Sequence, residues 1–94
     1  MSRLASDEID RRLAALQGWT RQGDAIRKTY TFGSFPEAVS FVVRIAFAAE
    51  QVDHHPDILI NYRRVTLTYT THSAGGLTEK DFAGAQEADR IAWV

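Results

Sequence analysis

The stretch Glu50-Gln51-Val52-Asp53-His54-His55-Pro56, then Ile58 to Asn61, Tyr62 to Thr71, and His72-Ser73-Ala74-Gly75-Gly76-Leu77-Thr78-Glu79-Lys80-Asp81, decides how the chain is read. His55 precedes a proline, which pushes its backbone out of the helical region, so a helix arriving from upstream must stop at about Asp53 or His54. Ile58 to Asn61 and Tyr62 to Thr71 are β-branched and aromatic and read as extended chain. In the second run Val65, Leu67, Tyr69 and Thr71 point one way, and Arg64, Thr66, Thr68, Thr70 and His72 the other. Gly75-Gly76 breaks the strand. Thr78-Glu79-Lys80-Asp81 then opens a helix with a capping hydroxyl and a carboxylate three residues on, and Phe82, Ala85, Ala88, Ile91 and Ala92 line its apolar side.

Upstream, Ser34-Phe35-Pro36-Glu37 carries the same capping pattern, with Pro36 tolerated in the first turn. From Ala38 to Ala49 only Ser40 and Arg44 are polar, and their spacing of four confines them to one narrow stripe. Most of the helix circumference is apolar, more than contact with one sheet needs, so the second helix is expected to be sandwiched between the sheet and another subunit. Before it, Trp19 to Gln22 and Ile26 to Phe32 form a hairpin that turns at Gly23-Asp24. Ile26, Lys28, Tyr30 and Phe32 share one face by period two, with Lys28 interrupting the apolar row. A first helix is expected to be capped by Ser6, to carry Asp7 and Glu8 in its first turn and Ile9, Leu13 and Leu16 on one face, and to stop at Gly18.

The order is helix, two strands, helix, two strands, helix. Short turns make the strand pairs antiparallel, which gives an α+β fold with a four-stranded antiparallel sheet and three helices packed on one face. Residues 1–94 are read as a single domain. The composition is ordinary for a globular chain, with 45% hydrophobic and 24% charged residues. A net charge of −1 without a basic block argues against direct nucleic-acid binding. The absence of cysteine excludes disulfides and thiolate metal sites. The first residues lack an apolar signal core, and the stretch Ala38 to Ala49 is too short to span a bilayer, so a soluble cytoplasmic protein is expected.

Imidazole titrates nearest neutrality, which suits the three histidines to proton transfer. A pair where a helix ends and a third where a strand ends could converge on one cleft. Glu50 lies one turn before His54, so the two side chains are expected to meet. The plainer alternatives are a histidine helix cap and a solvated loop histidine. Metal binding is disfavoured, because neither a helical H-x-x-x-H nor a strand H-x-H pair is present. Asp81 is explained by helix capping alone, Trp19 could be plain core, and Gly75-Gly76 lacks the rest of a phosphate loop.

Glu50-x-x-x-His54-His55-Pro56, Tyr62 after five further residues, His72 after nine more and Asp81 after eight more resemble the signature of pterin-4a-carbinolamine dehydratases. Gly18-Trp19, Phe32 to Phe41 and Thr71 to Thr78 extend the likeness over nearly the whole chain. Ile58 stands where many members carry an aromatic. The resemblance implies dehydration of 4a-hydroxytetrahydropterin to quinonoid dihydropterin, a step in tetrahydrobiopterin recycling after aromatic amino-acid hydroxylation, without metal or organic cofactor. It implies His54, His55 and His72 as the catalytic set: His54 and His72 for proton transfer, His55 mainly for ring binding. Glu50 would orient His54, Trp19 would wall the pterin, and Asp81 would support the His72 loop. It also implies subunits paired edge to edge, as a homodimer or homotetramer. Some animal members double as dimerisation cofactors of a homeodomain transcription factor. A non-catalytic dimeric scaffold that binds a protein partner is the alternative.

Overall fold

The computed structural model describes residues 2–92. The elements are α1 (Ser6–Ala14), β1 (Thr20–Gln22), β2 (Ala25–Thr31), α2 (Phe35–Val52), β3 (Asp57–Asn61), β4 (Arg64–Tyr69) and α3 (Glu79–Ala92). The sheet order is β1-β2-β4-β3, antiparallel throughout, so the expected α+β architecture and element order are borne out. Two hairpins meet at the β2–β4 seam, where Ile26 pairs with Tyr69 and Tyr30 with Val65.

The core is the helix-facing side of the sheet. Ile26 and Tyr30 from β2, and Val65, Leu67 and Tyr69 from β4, are buried against Phe41 and Ile45 of α2 and Phe82, Ala85 and Ala88 of α3. The Phe41 ring sits 5.0 Å from that of Tyr30 and 4.9 Å from that of Phe32. Lys28 breaks the apolar row for a reason: its ammonium pairs with Asp89 of α3 at 2.8 Å. Trp19 Nε1 donates to the same carboxylate at 3.2 Å, and so does the Tyr30 hydroxyl. Asp89 thus ties α3 to β2 and to the segment between α1 and β1.

Several ends differ from expectation. α1 starts at Ser6 itself, after an uncapped Ala5, and closes at Ala14 with tight bonds from Ala15 to Arg12 and from Leu16 to Leu13. Gly18 lies in the left-handed region at φ 82°, beyond the helix rather than at its last turn. Ser34 caps α2 by accepting from the Glu37 backbone N–H at 3.2 Å, while Glu37 reaches back to the N–H of Gly33 rather than to Ser34. Tyr62 does not continue a strand: with Arg63 it makes the tight β3–β4 turn, at φ 56°.

α2 buries Ala38, Phe41, Ile45 and Ala49 toward the sheet. Its opposite side presents Phe35, Val43 and Phe47, spaced by eight and four residues, with Phe47 77% exposed. β3 is an edge strand, and Ile58, Leu59 and Ile60 are exposed along it. No helix among the described residues is long and apolar enough to cross a membrane.

Candidate active site

The geometry of the histidines begins with how α2 stops. Asp53 takes the left-handed conformation, φ 52° and ψ 45°, which short polar side chains tolerate better than most. The N–H of Asp53 then bonds Glu50 O at 3.2 Å and the N–H of His54 bonds Ala49 O at 3.1 Å, the paired bonds of a Schellman stop. His54 and His55 therefore lie beyond the helix, and the spacing rule for neighbours on a helix surface no longer governs them.

The expected Glu50–His54 pair is replaced by two others. Glu50 Oε1 meets His55 Nε2 at 2.7 Å on the exposed surface. His54 Nε2 turns inward to Asp81 Oδ1 at 2.6 Å. Asp81 is 0% exposed and the His54 side chain 11%, so this is the better shielded of the two pairs.

Asp81 is held from two further directions. Its Oδ2 accepts from Thr71 Oγ1 at 2.8 Å and from the Thr78 backbone N–H at 2.9 Å. Thr78 Oγ1 lies 2.9 Å from Thr71 Oγ1 and accepts from the N–H of Lys80 at 3.2 Å. The carboxylate thus completes the capping pattern at the start of α3 and also grips the end of β4. His72 follows Thr71 directly and opens a one-turn 3₁₀ segment, His72–Ala74. Its side chain is exposed and makes no hydrogen bond among the described residues.

A groove of about 390 Å³ runs between α2 and α3, with His54 and Tyr69 in its wall and Lys80 and Glu87 among its lining residues. The Tyr69 ring stacks against His54 at 6.0 Å and an interplanar angle of 24°. A side chain at Gly84 would bring its Cβ to 2.6 Å from the Tyr69 ring, so glycine there is what lets the tyrosine lie under α3. Trp19 is a core residue and reaches the site only through Tyr69, whose ring is 6.0 Å from its own. No group of three or more histidine, aspartate or glutamate side chains suited to a metal occurs among the described residues.

Burial, then the negative charges of Asp81 and Glu87, push the Tyr69 phenol up to about 12. A phenol raised above its unfolded value near 10 contributes stability that is fully present below about pH 10 and is lost as pH rises toward 12. Burial and the neighbouring Asp89 push Tyr30 further up in the same direction. We expect urea unfolding free energy to fall between pH 10 and 12, and Tyr69→Phe to remove about 2 kcal/mol of that fall. An unchanged alkaline slope in the variant would refute this assignment.

Sequence spacing missed Tyr69, Thr71, Thr78 and Gly84 as supports of the site. The period-two pattern already placed Tyr69 and Thr71 on the core face, and a glycine in mid-helix was a visible signal of close packing.

The sequence model of the family described as pterin 4 alpha carbinolamine dehydratase matches residues 2–91. A protein of Roseiflexus sp. (strain RS-1), provisionally named a pterin-4-alpha-carbinolamine dehydratase, is 58% identical over 90 residues, which cover 96% of this chain and 97% of that protein. A crystal structure of a transcriptional coactivator/pterin dehydratase from Brucella melitensis superposes with a TM-score of 0.93 at 38% identity, over 97% of this chain and 99% of the other. A pterin dehydratase-like protein described as a RuBisCO assembly factor in the alpha-carboxysome gives a TM-score of 0.70 at 26% identity, over 82% and 92% of the two chains.

Proposed function

The chain belongs to the pterin 4 alpha carbinolamine dehydratase family, and on that premise we propose that it dehydrates 4a-hydroxytetrahydropterin to quinonoid dihydropterin. The observation that carries the proposal is the shielded His54–Asp81 pair beside a groove of small-molecule size. The reaction delivers one proton to the departing 4a-hydroxyl and removes one from the ring nitrogen. Both transfers occur near neutral pH, where positioned histidines contribute about 10²–10⁴-fold. His54 and His72 are assigned the proton transfers and His55, with Glu50, ring binding. Asp81 supports both His54 and the Thr71–His72 corner. Trp19 acts behind Tyr69 rather than as a direct wall. The chemistry calls for neither metal nor organic cofactor, and a cytoplasmic place in pterin recycling follows from the substrate.

The proposed assembly is a homodimer or homotetramer, because β3 and the Phe35–Val43–Phe47 row leave apolar surface uncovered. That same surface favours the second reading, a scaffold that binds a protein partner; the relatives described as coactivator and assembly factor are compatible with it. The deciding experiment is quinonoid dihydropterin formation from synthetic carbinolamine, with and without the protein. Acceleration that survives a chelator supports the enzyme; no acceleration at micromolar protein supports the scaffold. In parallel, sedimentation at micromolar concentration is expected to show an oligomer, and a clean monomer would defeat the assembly.

A further inference from the structure

Every contact to Asp81 comes from a donor or from the His54 ring, and at Oδ2 this fixes the direction of each bond. The Thr78 backbone N–H can only donate, so Asp81 Oδ2 accepts it. Thr71 Oγ1 donates to the same oxygen. Its hydroxyl proton being used there, Thr71 must accept from the Thr78 hydroxyl, whose own oxygen accepts from the Lys80 N–H. The chain of donors ends on Asp81 and supplies it with two hydrogen bonds at Oδ2, which is the arrangement of an ionised, acceptor-only carboxylate. With Asp81 in its carboxylate form Oδ1 can only accept, and His54 Nε2 at 2.6 Å carries the proton of that bond. The other ring nitrogen has no hydrogen-bond partner among the described residues, and none of their buried side-chain polar atoms lacks one, so Nδ1 keeps some exposure on a residue that lines the groove.

We infer that His54 exchanges protons with the substrate through Nδ1, and that Thr71 and Thr78 are positioning residues that lock Asp81 so that the neutral ring keeps its proton on Nε2. The inference rests on the dehydratase reading for its substrate but not for its tautomer. In the step, the ring N–H of the carbinolamine breaks and Nδ1–H forms. The electron pair of that N–H closes the C=N bond as the C4a–O bond breaks, and the hydroxyl leaves as water with a proton from a second acid, assigned above to His72. The imidazolium so formed faces the Asp81 carboxylate, which is already oriented and needs no movement to stabilise it.

The network makes a prediction that simple loss of a charge does not. In Asp81→Asn, the Thr78 N–H and the Thr71 hydroxyl require the amide oxygen at the Oδ2 position. The amide NH₂ then faces His54 and can only donate, so Nε2 must become the bare nitrogen and the proton must move to Nδ1. A long-range ¹H–¹⁵N spectrum of the full-length protein without substrate is expected to show His54 as the Nε2–H tautomer when neutral, and Asp81→Asn to invert it. The same variant should lose about 10²-fold or more in kcat, with KM little changed. Thr71→Val should lower kcat several-fold at unchanged KM, and Thr71→Ser should restore it. A wild-type ring protonated on Nδ1 would overturn the inference, even if Asp81→Asn does not fold; so would an uninverted tautomer in a folded Asp81→Asn, or full activity in a folded Thr71→Val. The Nε2–H tautomer together with no dehydration by any variant would sink the enzymatic reading instead and leave the ring assignment standing.

Discussion

His54→Ala is expected to lower kcat for carbinolamine dehydration by about 10²–10⁴-fold, the range that a positioned acid–base group contributes. KM should change little, because a side chain that moves a proton acts in the transition state rather than in uniform binding. The structure separates this residue from its neighbour in the sequence. His54 sits against a fully buried carboxylate and a stacked tyrosine, whereas His55 is exposed and held only by an exposed glutamate. His55→Ala should therefore raise KM with a smaller effect on kcat, and Glu50→Gln should follow His55→Ala rather than His54→Ala. His72→Ala should resemble His54→Ala. The double loss of His54 and His72 should fall short of the product of the single losses, since groups that share one transition state are not additive. Steady-state kinetics on these variants is the check. Abolished turnover in His55→Ala with only KM effects in His54→Ala and His72→Ala would invert the roles.

Asp89→Ala should destabilise the fold by about 2–4 kcal/mol, by taking the shared acceptor from a phenol and an indole N–H and leaving the Lys28 ammonium with only the Gln17 carbonyl. The cost lies below that of breaking a fully buried ion pair because the Lys28 and Asp89 side chains remain 20% and 28% exposed, and water partly screens and partly replaces the bond. The loss corresponds to a drop in Tm of roughly 10–25 °C for a domain of this size. Asp89→Asn, which keeps one acceptor oxygen, should cost less. Urea and thermal unfolding at neutral pH would measure both, and an alanine cost under about 1 kcal/mol would show that the hub is not a structural tie.

The architecture was legible because its signals are local. The capping pattern at Ser34, the period-two rows of β2 and β4 and the Gly23-Asp24 turn each depend on neighbours in sequence. The Tyr62-Arg63 turn was not legible, since neither residue carries the usual turn chemistry and Tyr62 accepts a positive φ only because the strands on either side are paired. The site followed the same division. The spacing of Glu50, His54, His55, His72 and Asp81 identified the region. The partners within it were misread, because Asp53 turns the chain just before the histidines and moves Glu50 from His54 to His55. Lys28 was seen as an irregularity, but its partner lies 61 positions away and no local pattern could have supplied it.

The strand order has a consequence for how the chain reaches this structure. Each hairpin joins segments adjacent in sequence, but the seam between β2 and β4 brings Thr29 to Thr66 across 37 positions, with all of α2 in the intervening loop. Closing that loop costs entropy before the seam returns any contact energy. The pairing of Tyr30 with Val65 beside Phe41 is therefore expected to form late and to limit the folding rate. Substitutions along that seam should therefore slow folding, whereas those in α1, which takes no part in the seam, should act mainly by hastening unfolding.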